Sequence, residues 1–124
     1  IPSIMVGHLY DSRVDNKYPA TLSKAHMDRL KSLGCTSQVF ITDDVDMKAL
    51  TQEYSRHDIL VNAFNAGIDI VIASNNIGAY NPDQFFVDRK IVFDAVKAGD
   101  ISEIRINEAY NKVITLKQKF KIVK

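Results

Sequence analysis

Residues 38–47 read Gln-Val-Phe-Ile-Thr-Asp-Asp-Val-Asp-Met. The first five, 38–42, carry Val, Phe, Ile and Thr in a short run, the pattern of a strand buried inside a parallel sheet. The run stops abruptly at two adjacent carboxylates, Asp43 and Asp44. Asp46 then has the place of a cap for a short helix around 47–50. In α/β sheets the functional groups gather at the C-terminal ends of the strands, so a strand that ends in acid is the first place to look for chemistry.

The same grammar extends to both sides. Residues 68–73 (Ile-Asp-Ile-Val-Ile-Ala) and 1–9 (Ile-Pro-Ser-Ile-Met-Val-Gly-His-Leu) predict two further buried strands. Between the first two lie a polar loop, 10–19, and a helix capped by Ser23 and closed by Gly34, with Ala25, Met27, Leu30 and Leu33 near helical spacing. A second helix over 56–66 places Ile59, Leu60, Ala63 and Phe64 on one face and is closed by Gly67. After the third strand a turn-rich loop, 74–82, leads to a helix over 83–98 closed by Gly99. A last helix, capped by Ser102, runs to about residue 120. The order β-α-β-α-β-α-α predicts parallel strands with helical crossovers, without repeat or linker.

Bulk properties narrow the function classes. The chain has 124 residues, 46% apolar and 25% charged, with a formal net charge of +1. That balance suits a globular domain and offers no electrostatic case for nucleic acid or an acidic membrane as partner. Lys117, Lys119, Lys121 and Lys124 form the one basic excess, read as a solvated helix face. Cys35 stands alone, so no internal disulfide forms, and no apolar run reaches the roughly 20 residues of a membrane span. Ile1 opens directly into an apolar run and is read as a cut inside a longer protein.

Three strand ends could bring chemistry together: Gly7-His8, Thr42-Asp43-Asp44 and Ser74-Asn75-Asn76. A carboxylate on a strand end suits a nucleophile or a metal ligand, and equally suits helix capping. Asp44-Val45-Asp46 has the D-x-D spacing of metal-dependent transferases, and paired acids also occur in magnesium-binding phosphoryl acceptors. Neither reading finds its other parts here. His8 could hydrogen-bond a substrate or satisfy nearby backbone groups. His26 and His57 fall on helices and read as partly exposed, and Cys35, after a helix-ending glycine, reads as structural. Tyr10, Tyr18 and Tyr80 sit in loops at strand ends, where rings can stack on sugars. No glycine-rich phosphate loop, no Cys/His metal spacing and no G-x-S-x-G is present.

Five blocks, in order, resemble the β-N-acetylhexosaminidase branch of glycoside hydrolase family 3. They are Ile4-Met5-Val6-Gly7-His8-Leu9, Pro19-Ala20-Thr21-Leu22-Ser23, the segment from Ile41 to Ala49, Ala63-Phe64-Asn65-Ala66-Gly67-Ile68-Asp69, and Ile101-Ser102-Glu103 with Arg105-Ile106-Asn107-Glu108-Ala109 and later Leu116-Lys117. Two departures stand out. Gly34-Cys35-Thr36-Ser37-Gln38 lacks the second glycine of the family's G-F-x-G, and Gly7 replaces its usual alanine. The resemblance implies the C-terminal part of a (β/α)8 barrel: about three βα units and an extra helix in one partial domain, 1–124. It implies retaining hydrolysis of β-linked N-acetylglucosamine in cell-wall or chitin-type saccharides, with Asp43 as nucleophile, His8 as a substrate-binding residue, and no metal or cofactor. The acid/base pair, an Asp and a His on a loop, and a K-H-F-P-G-H-G-like strand would lie upstream. The chain alone is then expected to be inactive and to self-associate through free strand edges. The alternative is a non-catalytic interaction or regulatory module with Asp43 and Asp44 as a magnesium site, or a barrel remnant that only binds sugar.

Overall fold

In the computed structural model, which describes residues 1–124, the three strands form one parallel sheet in the order β1-β2-β3. They are β1 (Ser3–Val6), β2 (Val39–Asp44) and β3 (Ile70–Ile72). The helices are α1 (Lys24–Ser32), α2 (Lys48–Thr51), α3 (Arg56–Ala66), α4 (Gln84–Ala98) and α5 (Glu103–Lys119), with a 3-10 turn at Ala20–Leu22 before α1. This partial parallel sheet with flanking helices is consistent with part of an α/β barrel, and the sheet does not close.

The ladder explains where the strands differ from expectation. Ser3 to Val6 pair with Val39 to Thr42, so β1 is shorter than 1–9 and ends where its pairing with β2 ends. β2 was expected to stop at Thr42. It continues through Asp43 and Asp44, because Asp44 still pairs with Ile72 across an irregularity in the ladder. Thr42 causes part of that irregularity. Its buried Oγ1 accepts the Ile72 N–H at 2.9 Å, in the place of a backbone carbonyl.

One face of the sheet carries the core. Val6 and Phe40 pack with Leu22, Met27, Ile59 and Ala63 from the turn and helices α1 and α3. The apolar face expected for α1 is narrower than its spacing implied: Met27 is buried, whereas Ala25 and Leu33 are exposed. Strand residues alternate between faces. Met5 pairs with Ile41 on the opposite face and is 59% exposed. Parallel sheets are ordinarily covered on both faces, and this one is covered on one.

The caps set the helix starts. Ser23 Oγ accepts the His26 N–H, Ser55 Oγ the Asp58 N–H, and Ser102 Oγ the Arg105 N–H. Asp46 was expected to cap α2 and does not. Met47 stands at that N-cap without a side-chain bond, because the Asp46 carboxylate is drawn to Arg56 and to the loop after β3. Gly67 closes α3 at φ 121°, a conformation side chains rarely adopt, and a Cβ there would meet Lys31 Nζ at 3.4 Å.

A buried ion cluster anchors the N-terminal ends of the strands. Asp69 has a side-chain exposure of 0%. It accepts from Arg105 Nη2 at 2.5 Å, Lys112 Nζ at 2.7 Å and the Phe40 N–H at 3.0 Å. Arg105 also donates to the carbonyls of Phe64 and Ile68 at 3.0 and 2.8 Å, fastening α5 to the end of α3 and the start of β3.

Candidate active site

Asp43 sits near the end of the middle strand, with the parity of Ile41 and Met5, on the face opposite the core. Its Oδ1 accepts the Asp44 N–H at 2.8 Å. The other oxygen has no protein partner and is open to solvent. One oxygen is thus oriented and the other is free, the arrangement a carboxylate nucleophile needs.

Asp44 is built differently. Its carboxylate accepts the Ser74 N–H at 3.1 Å, the Ser74 hydroxyl and the Asp46 N–H at 3.1 Å. Burial alone would push this carboxyl up. The Ser74 and Asp46 bonds, with the Arg56 charge, outweigh that and leave it below the ordinary aspartate value. Asp44 therefore ties the end of β2 to the start of the loop after β3.

His8 is brought to the same strand ends and is 8% exposed. Its Nε2 lies 2.9 Å from the Asp44 carbonyl oxygen, and its Nδ1 lies 2.9 Å from Thr21 Oγ1. Thr21 stands in the 3-10 turn and reaches back to the Val6 and Gly7 carbonyls at 3.0 and 2.8 Å.

A second polar network, not legible from spacing, braces the loop after β3. Arg56, at the start of α3, donates to Asp46 at 2.7 Å and to both oxygens of Asp88 on α4, at 2.8 and 2.5 Å. These carboxylates hold the guanidinium above its ordinary value. The second Asp46 oxygen accepts the Asn75 N–H at 2.7 Å. Asn75 adopts φ 53°, which is uncommon outside glycine, and its amide locks onto the Asn81 backbone in both directions. The only local clue was Asp46 ten residues before Arg56. The partner Asp88 is too distant in sequence for any spacing rule to reach.

The other candidates disperse. Tyr10 and Tyr54 share a hydrogen bond at 3.1 Å, Tyr10 donates to Glu53 at 3.0 Å, and Tyr18 lies against Tyr54 at a ring separation of 6.0 Å. These contacts clasp the 10–19 loop to the turn after α2. Tyr80 is 73% exposed and lies on the other side, at a cavity of ≈ 750 Å³ shared by α3, α4 and the end of β3. That cavity is lined mainly by apolar groups and does not include Asp43 or His8. No three His, Cys, Asp or Glu side chains are grouped to hold an ion. The oxygens of Asp44 and Asp46 already serve protein donors. No helix is long and apolar enough to cross a membrane.

Residues 1–116 match the family described as the glycosyl hydrolase family 3 N-terminal domain. The chain belongs to that family. Solved structures agree in fold. A family 3 β-N-acetylglucosaminidase from a Paenibacillus species is similar at 28% identity and TM-score 0.82, over 95% of this chain and 22% of that one. The β-N-acetylglucosaminidase of Thermotoga maritima is similar at 22% identity and TM-score 0.81, over 92% of this chain and 24% of its own. A family 3 member from Mycobacterium smegmatis is similar at 22% identity and TM-score 0.78, over 92% and 34%. The chain thus spans between about a fifth and a third of these three proteins. No curated protein matches it.

Proposed function

We propose that the protein containing this chain is a retaining glycoside hydrolase acting on β-linked N-acetylglucosamine, with Asp43 as its nucleophile. The observation that carries this reading is the asymmetry of the Asp43 carboxylate, one oxygen held by a backbone N–H and one open. Family 3 membership and the likeness to a β-N-acetylglucosaminidase at 28% identity support the substrate class. Cell-wall muropeptide or chitin fragments are the substrates in mind.

In this scheme the free oxygen of Asp43 attacks the anomeric carbon. The bond to the aglycone oxygen breaks, its electron pair stays on that oxygen, and a general acid protonates it. The same group then takes a proton from water, which attacks the anomeric carbon and returns Asp43 to a carboxylate. The Asp44 N–H keeps the carboxylate aimed through both steps. Residues 1–124 would form the C-terminal portion of one barrel domain, and a further segment would supply the acid/base as an Asp-His pair. The chain on its own would turn nothing over, and it would self-associate through its uncovered sheet face and edges. A cooperatively folding monomer in light scattering would sink the self-association.

The deciding experiment treats the full-length protein with a fluorinated N-acetylglucosaminyl fluoride, which lets the covalent intermediate accumulate. Peptide mapping should find the sugar on Asp43. Asp43→Ala should lower turnover of 4-nitrophenyl N-acetyl-β-glucosaminide by on the order of 10³-fold or more. A label on another carboxylate, or near-normal turnover in Asp43→Ala, overturns the assignment.

A further inference from the structure

We infer that His8 positions the Asp43 carboxylate through the backbone of Asp44 and does not itself bind the sugar. The inference rests on the reading of Asp43 as nucleophile. It departs from the expectation that a strand-end histidine is a substrate ligand.

A carbonyl oxygen only accepts, so the Nε2 that lies 2.9 Å from the Asp44 carbonyl carries the ring proton and donates it. Nδ1 has Thr21 Oγ1 as its partner at 2.9 Å. Both nitrogens are therefore used within the protein, and the residue is 8% exposed. Nothing on the ring is left to offer a sugar hydroxyl.

What the ring holds matters more. Residue 44 is gripped from both neighbouring strands. His8 takes its carbonyl from the β1 side, and Ser74 takes its carboxylate from the β3 side. Its N–H is the sole protein donor to the Asp43 carboxylate. A residue fixed at its carbonyl and its side chain cannot rotate its N–H away from Asp43. Thr21 Oγ1, itself held by donating to the carbonyls of Val6 and Gly7, gives Nδ1 a fixed partner. The Gly-His and Pro-Ala-Thr-Leu-Ser blocks, 13 residues apart at His8 and Thr21, thus serve one purpose at the end of β2.

The test compares His8→Gln with His8→Asn in the full-length protein, using 4-nitrophenyl N-acetyl-β-glucosaminide as probe and thermal unfolding to confirm the fold of each variant. A glutamine amide reaches about as far as Nε2 and can still donate to the Asp44 carbonyl, whereas an asparagine amide stops near Nδ1. His8→Asn should lower kcat by on the order of 10²-fold, the scale of a misaimed reacting group. KM should stay within about twofold, and His8→Gln should recover kcat to within about fivefold of the parent. A raised KM with kcat preserved makes His8 a sugar ligand and overturns the proposal. Equal loss in both variants overturns it as well. An independent readout is the ¹⁵N spectrum of the unsubstituted His8 ring. A protonated Nε2 whose N–H exchanges slowly with water is expected, and an Nε2 that is unprotonated or exchanges its proton freely counts against the proposal. Turnover surviving in Asp43→Ala would remove the nucleophile and the proposal with it. That failure is distinguishable, because the ring spectrum would stay unchanged.

Discussion

The same three strands carry an aspartate cluster at each end, fully buried at one and half-buried at the other, and the two are finished differently. At the N-terminal ends, Asp69 is closed off from water and both oxygens are saturated by Arg105, Lys112 and the Phe40 N–H. At the C-terminal ends, Asp44 is equally saturated, but Asp43 beside it keeps one oxygen unpartnered. A carboxylate with every lone pair answered can only hold structure. One with a free oxygen on a rigid mount has something left for a substrate. The contrast matches the general division of labour in α/β barrels, stability at the strand starts and chemistry at the strand ends.

The sharpest way to break this comparison is to neutralise one aspartate at each end. Asp69→Asn leaves Arg105 and Lys112 facing each other without their anion, and should cost about 3 kcal/mol or more in chemical denaturation of the full-length protein. Asp43→Asn should change stability by less than about 0.5 kcal/mol, since no ion pair is lost. If Asp43→Asn proves the more damaging to the fold, the division between the two ends is wrong.

A smaller effect is expected where the C-terminal strand ends borrow structural support. Arg56→Met removes the guanidinium between Asp46 and Asp88, and should cost about 2 kcal/mol by urea denaturation. It should also loosen the 74–82 loop, seen as faster amide exchange at Asn75. Unchanged exchange there would mean that the Asn75–Asn81 lock holds the loop alone.

Weaker again is the cap that delivers the anchor. Ser102 starts α5, which carries Arg105 and Lys112 to Asp69. Ser102→Ala should cost about 1 kcal/mol by thermal unfolding. A neutral result would show that the ion cluster, and not the cap, fixes that helix.

The smallest effect is a slope. The Asp44 carboxyl lies below its ordinary value in the folded protein, so the unfolded chain binds its proton first as pH falls. Its contribution to stability is therefore complete above the unfolded value of about 4 and is lost as pH drops through the lower folded value. Asp44→Asn should flatten the fall of stability in that acid window. An unaltered slope would place the acid sensitivity elsewhere, for instance on Asp15, which hydrogen bonds from Ser23 and Lys17 also hold low.

Much of this was written locally. Ser23 and Ser102 announced their helices because an N-cap needs only a hydroxyl three residues ahead of an N–H. The three strands were legible from apolar runs, although their ends were not, because a strand ends where its partner stops pairing. Asp46 looked like a cap for the same local reason, and lost that role to an arginine ten residues on and an asparagine after β3.

The candidate site divides along the same line. The sequence by itself determined the order of elements, the parallel sheet and the placing of Asp43 at a strand end, because periodicity and capping act over a few residues. Only the tertiary structure decided which carboxylate keeps a free oxygen, that both His8 nitrogens are taken, and that Asp69 is enclosed by two cations from α5. Those facts depend on donors 13 to 43 residues away, brought into reach by strand register and helix packing. Hydrogen-bond capacity is a property of the residue, but whether it is used up is a property of the neighbours the fold supplies.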